Sequence, residues 1–334
     1  MFKVAINGFG RIGKLALKSI VERGINLDVV AINDLSGTTS AAHLFAFDSA
    51  YGQFAGTVSH SEDSIIINDK KIAFYAEKNP EDLPWKELEI DIVLECTGFF
   101  RTKELASKHL KAGAKRVIIS APAKDEIDAT FVMGINNHDF DPNKHFIISN
   151  ASCTTNCLAP IVKILHENFI IKKGLMTTIH AFTSSQPVID CSKNDLRRSR
   201  AAAEGMIPTS TGAAKAISLV MPEMKNKLDG FAMRVPSLTV SVIDLTFETE
   251  KEISKDSINQ ALKNAANNKL KGILGYETRP LVSNDFRKDL RSSIVDAQLT
   301  NVIDKNFAKV ISWYDNEWGY ASRLVDLAEY ISKN

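Results

Sequence analysis

The sequence predicts an α/β fold in two parts, a doubly wound parallel sheet followed by an α+β unit with a mainly antiparallel sheet. Three observations carry this reading. Up to about residue 150, short apolar runs alternate with stretches of helical period, the pattern of parallel strands joined by covering helices. Beyond that point the β-branched runs lengthen, as in a sheet with helices on one face only. At 334 residues, with 44% hydrophobic and 24% charged residues, the chain is long enough for two cores and too apolar for disorder.

In chain order, the first part has strand patterns at 3–7, 29–33, 90–96, 116–120 and 146–149. Helical patterns at 11–22 and 102–112 have the length that a right-handed crossover needs. Segments 65–67 and 72–75, joined through Asn68-Asp69-Lys70, read as a hairpin inserted into the series. In the second part the strand-like runs are 176–180, 231–249 and 308–314. The stretch 321–332 puts Leu324, Val325, Leu327, Ala328 and Ile331 at helical spacing and closes the chain.

Charge narrows the function. With 41 Lys plus Arg against 40 Asp plus Glu, the net charge of +1 gives no footprint for a primary nucleic-acid role or an anionic membrane. Phosphate recognition, if present, must be local. No window approaches the roughly 18 apolar residues of a membrane span, and Met-Phe-Lys-Val-Ala-Ile runs into a glycine-rich turn rather than a signal pattern, so a cytosolic protein is expected. Cys96, Cys153, Cys157 and Cys191 are too few and too irregular for a disulfide framework and are expected as free thiols. No neighbouring Cys or His completes a zinc set, so no metal site is expected.

Gly8-Phe9-Gly10-Arg11-Ile12-Gly13 is a G-x-G-x-x-G run between a strand pattern and a helical one, with Asp34 ending the next apolar run. Gly8 suits the tight turn, Gly10 a close approach to pyrophosphate, and Gly13 close helix–strand packing. The helix start offers amides to phosphate, and Asp34 accepts from a ribose 2′-hydroxyl while repelling a 2′-phosphate. Residues 1–149 thus read as a Rossmann-type dinucleotide-binding domain. Lys78 and Ser192 are each open between a 2′-phosphate contact and a solvated side chain.

Cys153 follows a strand and opens a helical pattern, so it is expected at a helix N-terminus, where the dipole lowers a thiol pKa. Pro160 is expected to kink that helix unless its first turn stands apart. His180 ends the apolar run 176–179 and would make, with Cys153, a nucleophile and its base if the two meet. Spacing alone leaves it open whether they do. Arg197, Arg198 and Arg200 lie close to the hydroxyl-rich stretch 208–215, and Arg234 stands amid an apolar strand. Each Arg is open between an internal salt bridge and a phosphorylated substrate.

Together, residues 5–13, 149–156, 180–183, 208–215 and 313–320 make the whole chain resemble the phosphorylating glyceraldehyde-3-phosphate dehydrogenases. The resemblance implies a glycolytic, NAD-dependent homotetramer that converts glyceraldehyde 3-phosphate and inorganic phosphate to 1,3-bisphosphoglycerate. It implies Cys153 as nucleophile and His180 as base, with Thr183, Arg197 and Arg234 on the substrate phosphate. Ser152, Thr154, Thr211 and Gly212 correspond to the inorganic-phosphate site. Gly8, Gly10, Arg11, Ile12, Gly13, Asp34, Lys78, Thr97 and Ser120 correspond to the cofactor cleft, and Asn316 to the residue holding the nicotinamide carboxamide. The expected division is 1–149 with the C-terminal helix at 316–334, and a catalytic and oligomerisation domain at 150–315.

One departure bears on the cofactor. Where many NAD-using members have Leu-Pro, this chain has Cys191-Ser192, and a serine there resembles members that accept NADP. Asp34-Leu35 resembles the NAD users. A desolvated like-charge contact costs on the order of several kcal/mol, against roughly 0.5 to 1.5 for an added hydroxyl, so NAD is expected, with NADP second. Erythrose-4-phosphate dehydrogenases share the cysteine and histidine, but Thr211-Gly212 and Thr183 favour the three-carbon substrate and a phosphate acceptor.

Overall fold

A computed structural model describes residues 1–334, the whole chain. It divides into two compact units, one of Met1–Phe131, Asn137–Ala151 and Ala321–Asn334, the other of Val132–Asn136 and Ser152–Tyr320.

The first unit opens with β1 (Phe2–Asn7), α1 (Arg11–Arg23), β2 (Leu27–Asn33) and α2 (Thr38–Ala46). A short hairpin, β3 (Phe47–Asp48) and β4 (Gly52–Gln53), precedes β5 (Val58–His60), β6 (Ser64–Ile67) and β7 (Lys70–Tyr75). Then come α3 (Trp85–Leu88), β8 (Ile92–Glu95), α4 (Lys103–Lys111), β9 (Arg116–Ile119), β10 (Ala129–Thr130) and β11 (Ile147–Ser149). Nine strands form one sheet in the order β10-β11-β9-β8-β1-β2-β7-β6-β5. Every residue of β8 and β11 is buried, as a parallel strand covered on both faces requires. Trp85, fully buried with Leu83, Ile90 and Val93, anchors one side of the core.

The hairpin read from 65–75 is present. Asn68 (φ 46°) and Asp69 (φ 66°) supply its two left-handed turn residues, and β7 also pairs in parallel with β2, so the hairpin extends the main sheet. Because β1 lies between β2 and β8, the strand order reverses beside it, where doubly wound sheets open a ligand crevice at their carboxyl ends.

The second unit contains α5 (Cys153–Phe169), β12 (Ile171–Ala181), β13 (Ile207–Ser210), α6 (Ala213–Val220), β14 (Leu228–Val235) and β15 (Ser241–Thr249). It continues through α7 (Lys255–Asn267), β16 (Leu274–Glu277), β17 (Ser293–Asp296), β18 (Asn301–Ile303) and β19 (Phe307–Tyr314) into α8 (Trp318–Ser332). From Ala321 onward α8 belongs to the first unit. The sheet order is β13-β14-β12-β15-β19-β17-β16, with β18 on β19. Pairing is mainly antiparallel, but β12–β14 and β16–β17 are parallel.

Two expectations change here. The run 231–249 is two strands, separated in the sheet by β12, because Pro236 follows Val235 without an N–H to continue a ladder. Helix α5 runs through the buried Pro160 without a break; the proline removes one backbone bond, to the Asn156 carbonyl, and leaves the helical assignment intact.

Alternation orients the sheet. Met176, Thr178 and His180 of β12, Ser241, Ile243, Leu245 and Phe247 of β15, and Ala308, Val310, Ser312 and Tyr314 of β19 are buried, and the residues between them within each strand are more exposed. This inner face meets α5, whose Cys157 Sγ lies 3.5 Å from Ser293 Oγ. The β12–β14 register sets His180 beside Arg234, and the β15–β19 register sets Ser241 beside Tyr314, so one end of the sheet collects all four.

Candidate active site

In the first unit the three glycines do what their positions demand. Gly8 adopts φ +91°, and a Cβ there would sit 2.6 Å from the Thr97 amide nitrogen. One at Gly13 would lie 2.1 Å from the Gly8 carbonyl oxygen, whereas Gly10 faces open space. Helix α1 starts after Gly10 with no side-chain cap and no acidic residue in its first turn, so its N-terminal dipole favours an anion. Asp34 Oδ2 accepts the Phe9 amide at 2.6 Å and Oδ1 the Ser36 amide at 2.9 Å, which fixes the carboxylate against the glycine loop. These residues fit a dinucleotide. Arg11 pairs with Asp48 at 2.7 Å beside Ile12, while Lys78 and Ser192 are exposed.

A buried network underlies this cradle that the sequence reading missed. Glu95, 1% exposed, accepts hydrogen bonds from Asn7 Nδ2 (2.5 Å), the Thr97 amide (2.8 Å) and the Thr97 hydroxyl. Trp85 Nε1 donates to His109 Nδ1 at 3.0 Å, so a neutral His109 carries its proton on Nε2, 3.2 Å from Glu95. The carboxylate thereby fixes Thr97, and Ser120 follows on the next strand with its amide donating to the Glu95 carbonyl at 2.9 Å.

In the second unit Cys153 is the first residue of α5, and Ser152 caps it by accepting the Thr155 amide at 3.0 Å. The Cys153 Sγ lies 3.4 Å from His180 Nε2. Sequence spacing left this meeting open; the inward turn of His180 from β12 brings it about. Burial pushes the Cys153 thiol up, and the Arg234 charge and the Thr154 hydrogen bond reduce that rise without reversing it. The expected lowering by the helix start is therefore outweighed. Burial, with Arg234 adding to it, pushes His180 down to about 3. Neither group ionises readily alone here, but a proton passing from Sγ to Nε2 creates two adjacent opposite charges.

Arg234 governs which tautomer is ready for that transfer. Its NH1 lies 2.5 Å from His180 Nδ1 and donates to the Ala181 carbonyl at 2.9 Å, while Nδ1 itself is 2.7 Å from that carbonyl. With Arg234 donating to Nδ1, the neutral ring's proton faces the sulfur. With Nδ1–H donating to Ala181, Nε2 is open to accept the thiol proton.

Tyr314 is a further residue the sequence reading left without a role. Its hydroxyl sits between Thr154 Oγ1 (2.9 Å) and Thr178 Oγ1 (2.8 Å), and its ring meets His180 edge-on with centroids 6.0 Å apart. Only its place in the stretch 313–320 singled it out. Thr154 Oγ1 is 3.9 Å from the Cys153 sulfur, and Asn316, 5% exposed, accepts from Ser241 Oγ at 2.9 Å. Thr211 and Gly212 stand at the start of α6, which packs on α5. Thr183 bonds Ser185 at 2.8 Å, and Arg197 is exposed, lining a separate concavity of about 670 Å³ with Asp195 and Phe231. Arg198 rather than Arg197 is the arginine whose charge reaches Arg234.

A dinucleotide cradle in one unit and a thiol–imidazole pair in the other place the chain in the class of NAD-dependent oxidoreductases. Residues 2–103 match the family described as glyceraldehyde 3-phosphate dehydrogenase, NAD binding domain, and residues 152–316 match glyceraldehyde 3-phosphate dehydrogenase, C-terminal domain. The chain belongs to the glyceraldehyde 3-phosphate dehydrogenase family. It is 54% identical over 330 residues to a glyceraldehyde-3-phosphate dehydrogenase of Geobacillus stearothermophilus, covering 99% of this chain and 98% of that one. Relatives of the same name from Streptomyces coelicolor and Chlamydia pneumoniae are each 52% identical, over 98% and 99% of both chains respectively.

Proposed function

We propose that the chain oxidises D-glyceraldehyde 3-phosphate with NAD and inorganic phosphate to 1,3-bisphosphoglycerate, through a hemithioacetal and a thioester on Cys153. The observation that carries this is the 3.4 Å contact between Cys153 Sγ and His180 Nε2 at an uncapped-by-charge helix start, with Arg234 alongside. Cys153, its proton passed to His180, attacks the aldehyde carbon; the carbonyl oxygen takes that proton to become the hemithioacetal hydroxyl, and the neutral His180 removes it again as the C–H bond breaks. Bound NAD supplies the hydride acceptor, C4 of the nicotinamide. The carbonyl re-forms as a thioester, a phosphate oxygen attacks it, and the C–S bond breaks to return the thiolate and release the acyl phosphate.

Thr183 and Arg234 hold the substrate phosphate in this reading, and of the two arginines at 197 and 198 it is Arg198, whose charge reaches Arg234, that joins them rather than the exposed Arg197. Ser152, Thr154, Thr211 and Gly212 hold the attacking phosphate. Asn316 holds the nicotinamide carboxamide. The first unit serves as the dinucleotide domain completed by the C-terminal helix, and the second as the catalytic and oligomerisation domain.

The homotetramer in this reading is supported by what the second unit leaves uncovered. The outer sheet face carries a cavity of about 1040 Å³ lined by Leu175, Thr177, Asp244, Thr246, Phe307 and Lys309. Val188, Ile189, Leu196 and Met206, 73–82% exposed, crowd the long connection before β13. Copies of the chain would cover both. The four unpaired thiols suit a reducing cytoplasm, and no helix is long and apolar enough to cross a membrane.

Initial rates with NAD and with NADP at matched concentrations, each with and without inorganic phosphate, test the reading. NAD is strongly preferred and phosphate is required. Asp34→Asn narrows the NAD-to-NADP ratio by about tenfold or more, since it removes the like-charge contact. Equal rates with the two cofactors, or multiple turnovers without phosphate, overturn the respective assignments.

A further inference from the structure

Ser241 opens β15 at the same end of the sheet as His180, Arg234 and Tyr314, and it is 1% exposed. Its hydroxyl has two neighbours. It accepts the Ala181 amide at 3.1 Å and donates to Asn316 Oδ1 at 2.9 Å. The assignment of the second bond follows from counting protons. If the Asn316 amide were reversed, its Nδ2 would donate to a hydroxyl oxygen that already accepts from Ala181. The serine proton would then have no acceptor in a buried site, which costs the full desolvation of that group. With Oδ1 toward Ser241, every group is satisfied and Asn316 Nδ2 is left as a donor with no partner within the chain.

Ala181 is held at both of its backbone polar groups, which lie in adjacent peptide units. Its N–H is fixed by Ser241, and its carbonyl lies 2.7 Å from His180 Nδ1 and 2.9 Å from Arg234 NH1. The backbone of this one residue therefore connects, through its Cα, the group that orients Asn316 with the group that orients the base.

We propose that Ser241 is a positioning residue that fixes the Asn316 amide as a hydrogen-bond donor to the carbonyl oxygen of the nicotinamide carboxamide, and so favours a pyridine ring bearing a carbonyl acceptor at that position. This rests on the reading of Asn316 as the carboxamide's holder. Ser241 touches neither the substrate nor the reacting atoms; it acts by denying Asn316 its other orientation.

The test compares binding of NAD with binding of ADP-ribose, which has the same adenosine and pyrophosphate and lacks the nicotinamide, in Ser241→Ala, Asn316→Ala and the double variant. Ser241→Ala weakens NAD by roughly three- to tenfold and leaves ADP-ribose unchanged. In the Asn316→Ala background the serine substitution adds nothing, and Ser241→Thr, which keeps the hydroxyl, restores NAD affinity. Equal loss for both ligands, or additive losses in the double variant, overturns the proposal, because Ser241 then acts on the fold rather than through Asn316. Loss with Asn316→Ala but none with Ser241→Ala also overturns it while sparing Asn316. NAD binding unmoved by Asn316→Ala overturns the reading of Asn316 and the proposal with it.

Discussion

Cys153→Ser abolishes turnover, by at least about 10⁴-fold, while the Kd for NAD stays where it was. The hydroxyl that replaces the thiol has a far higher pKa, and the site gives it no help, since burial already opposes ionisation of the thiol itself. The thiolate forms only because His180 Nε2, 3.4 Å away, takes the proton as it leaves. An alkoxide gains nothing comparable from a histidine that burial holds down to about 3. Dinucleotide binding is spared because Gly8, Gly10, Gly13 and Asp34 belong to the first unit and owe nothing to the sulfur. Substantial turnover by the serine variant would sink the covalent route.

His180→Asn lowers kcat by roughly 10²- to 10⁴-fold, the range of a lost general acid–base group. Its more diagnostic effect is on the thiol. The sign follows from the site: burial raises the Cys153 pKa, and proton transfer to His180 is the compensating route to a thiolate. Without the imidazole that route is gone, so the pH at which iodoacetamide begins to alkylate Cys153 rapidly moves upward, past the ordinary thiol range near 8.5. Alkylation rates measured against pH in the native protein and the variant check this, and superimposable profiles would remove His180 from the activating role.

The parts of this molecule that were legible in its sequence are those whose constraints are local. The glycine fingerprint could be read because a positive φ at Gly8, the 2.1 Å approach at Gly13 and the open face at Gly10 each exclude side chains. The hairpin at Asn68-Asp69 was legible because its turn needs two left-handed residues. The cysteine's place at a helix start was legible because Ser152 is a good cap.

What was not legible depends on register between distant segments. Arg234 meets His180 because β12 and β14 pair in parallel across a stretch that contains β13 and α6, and no spacing rule reports that. Ser241 and Tyr314 are ordinary strand residues until β15 and β19 pair. Glu95 reads as the polar end of a strand until Asn7, Thr97 and His109 converge on it from two strand ends and a helix. The direction of the Cys153 shift was misjudged for a related reason. A helix dipole can be inferred from one element, whereas desolvation depends on everything packed around the sulfur.

The central claim is that oxidation and phosphate transfer are separated by an acyl group carried on Cys153. Its most direct measurement is a rapid-mixing experiment with enzyme, NAD and glyceraldehyde 3-phosphate in phosphate-free buffer, followed by quenching and intact-mass analysis with peptide mapping. The account predicts a burst of about one NADH per subunit, an acyl adduct mapped to Cys153, and loss of that adduct when phosphate is added. Steady turnover with no burst, or an adduct on any residue other than Cys153, would contradict it.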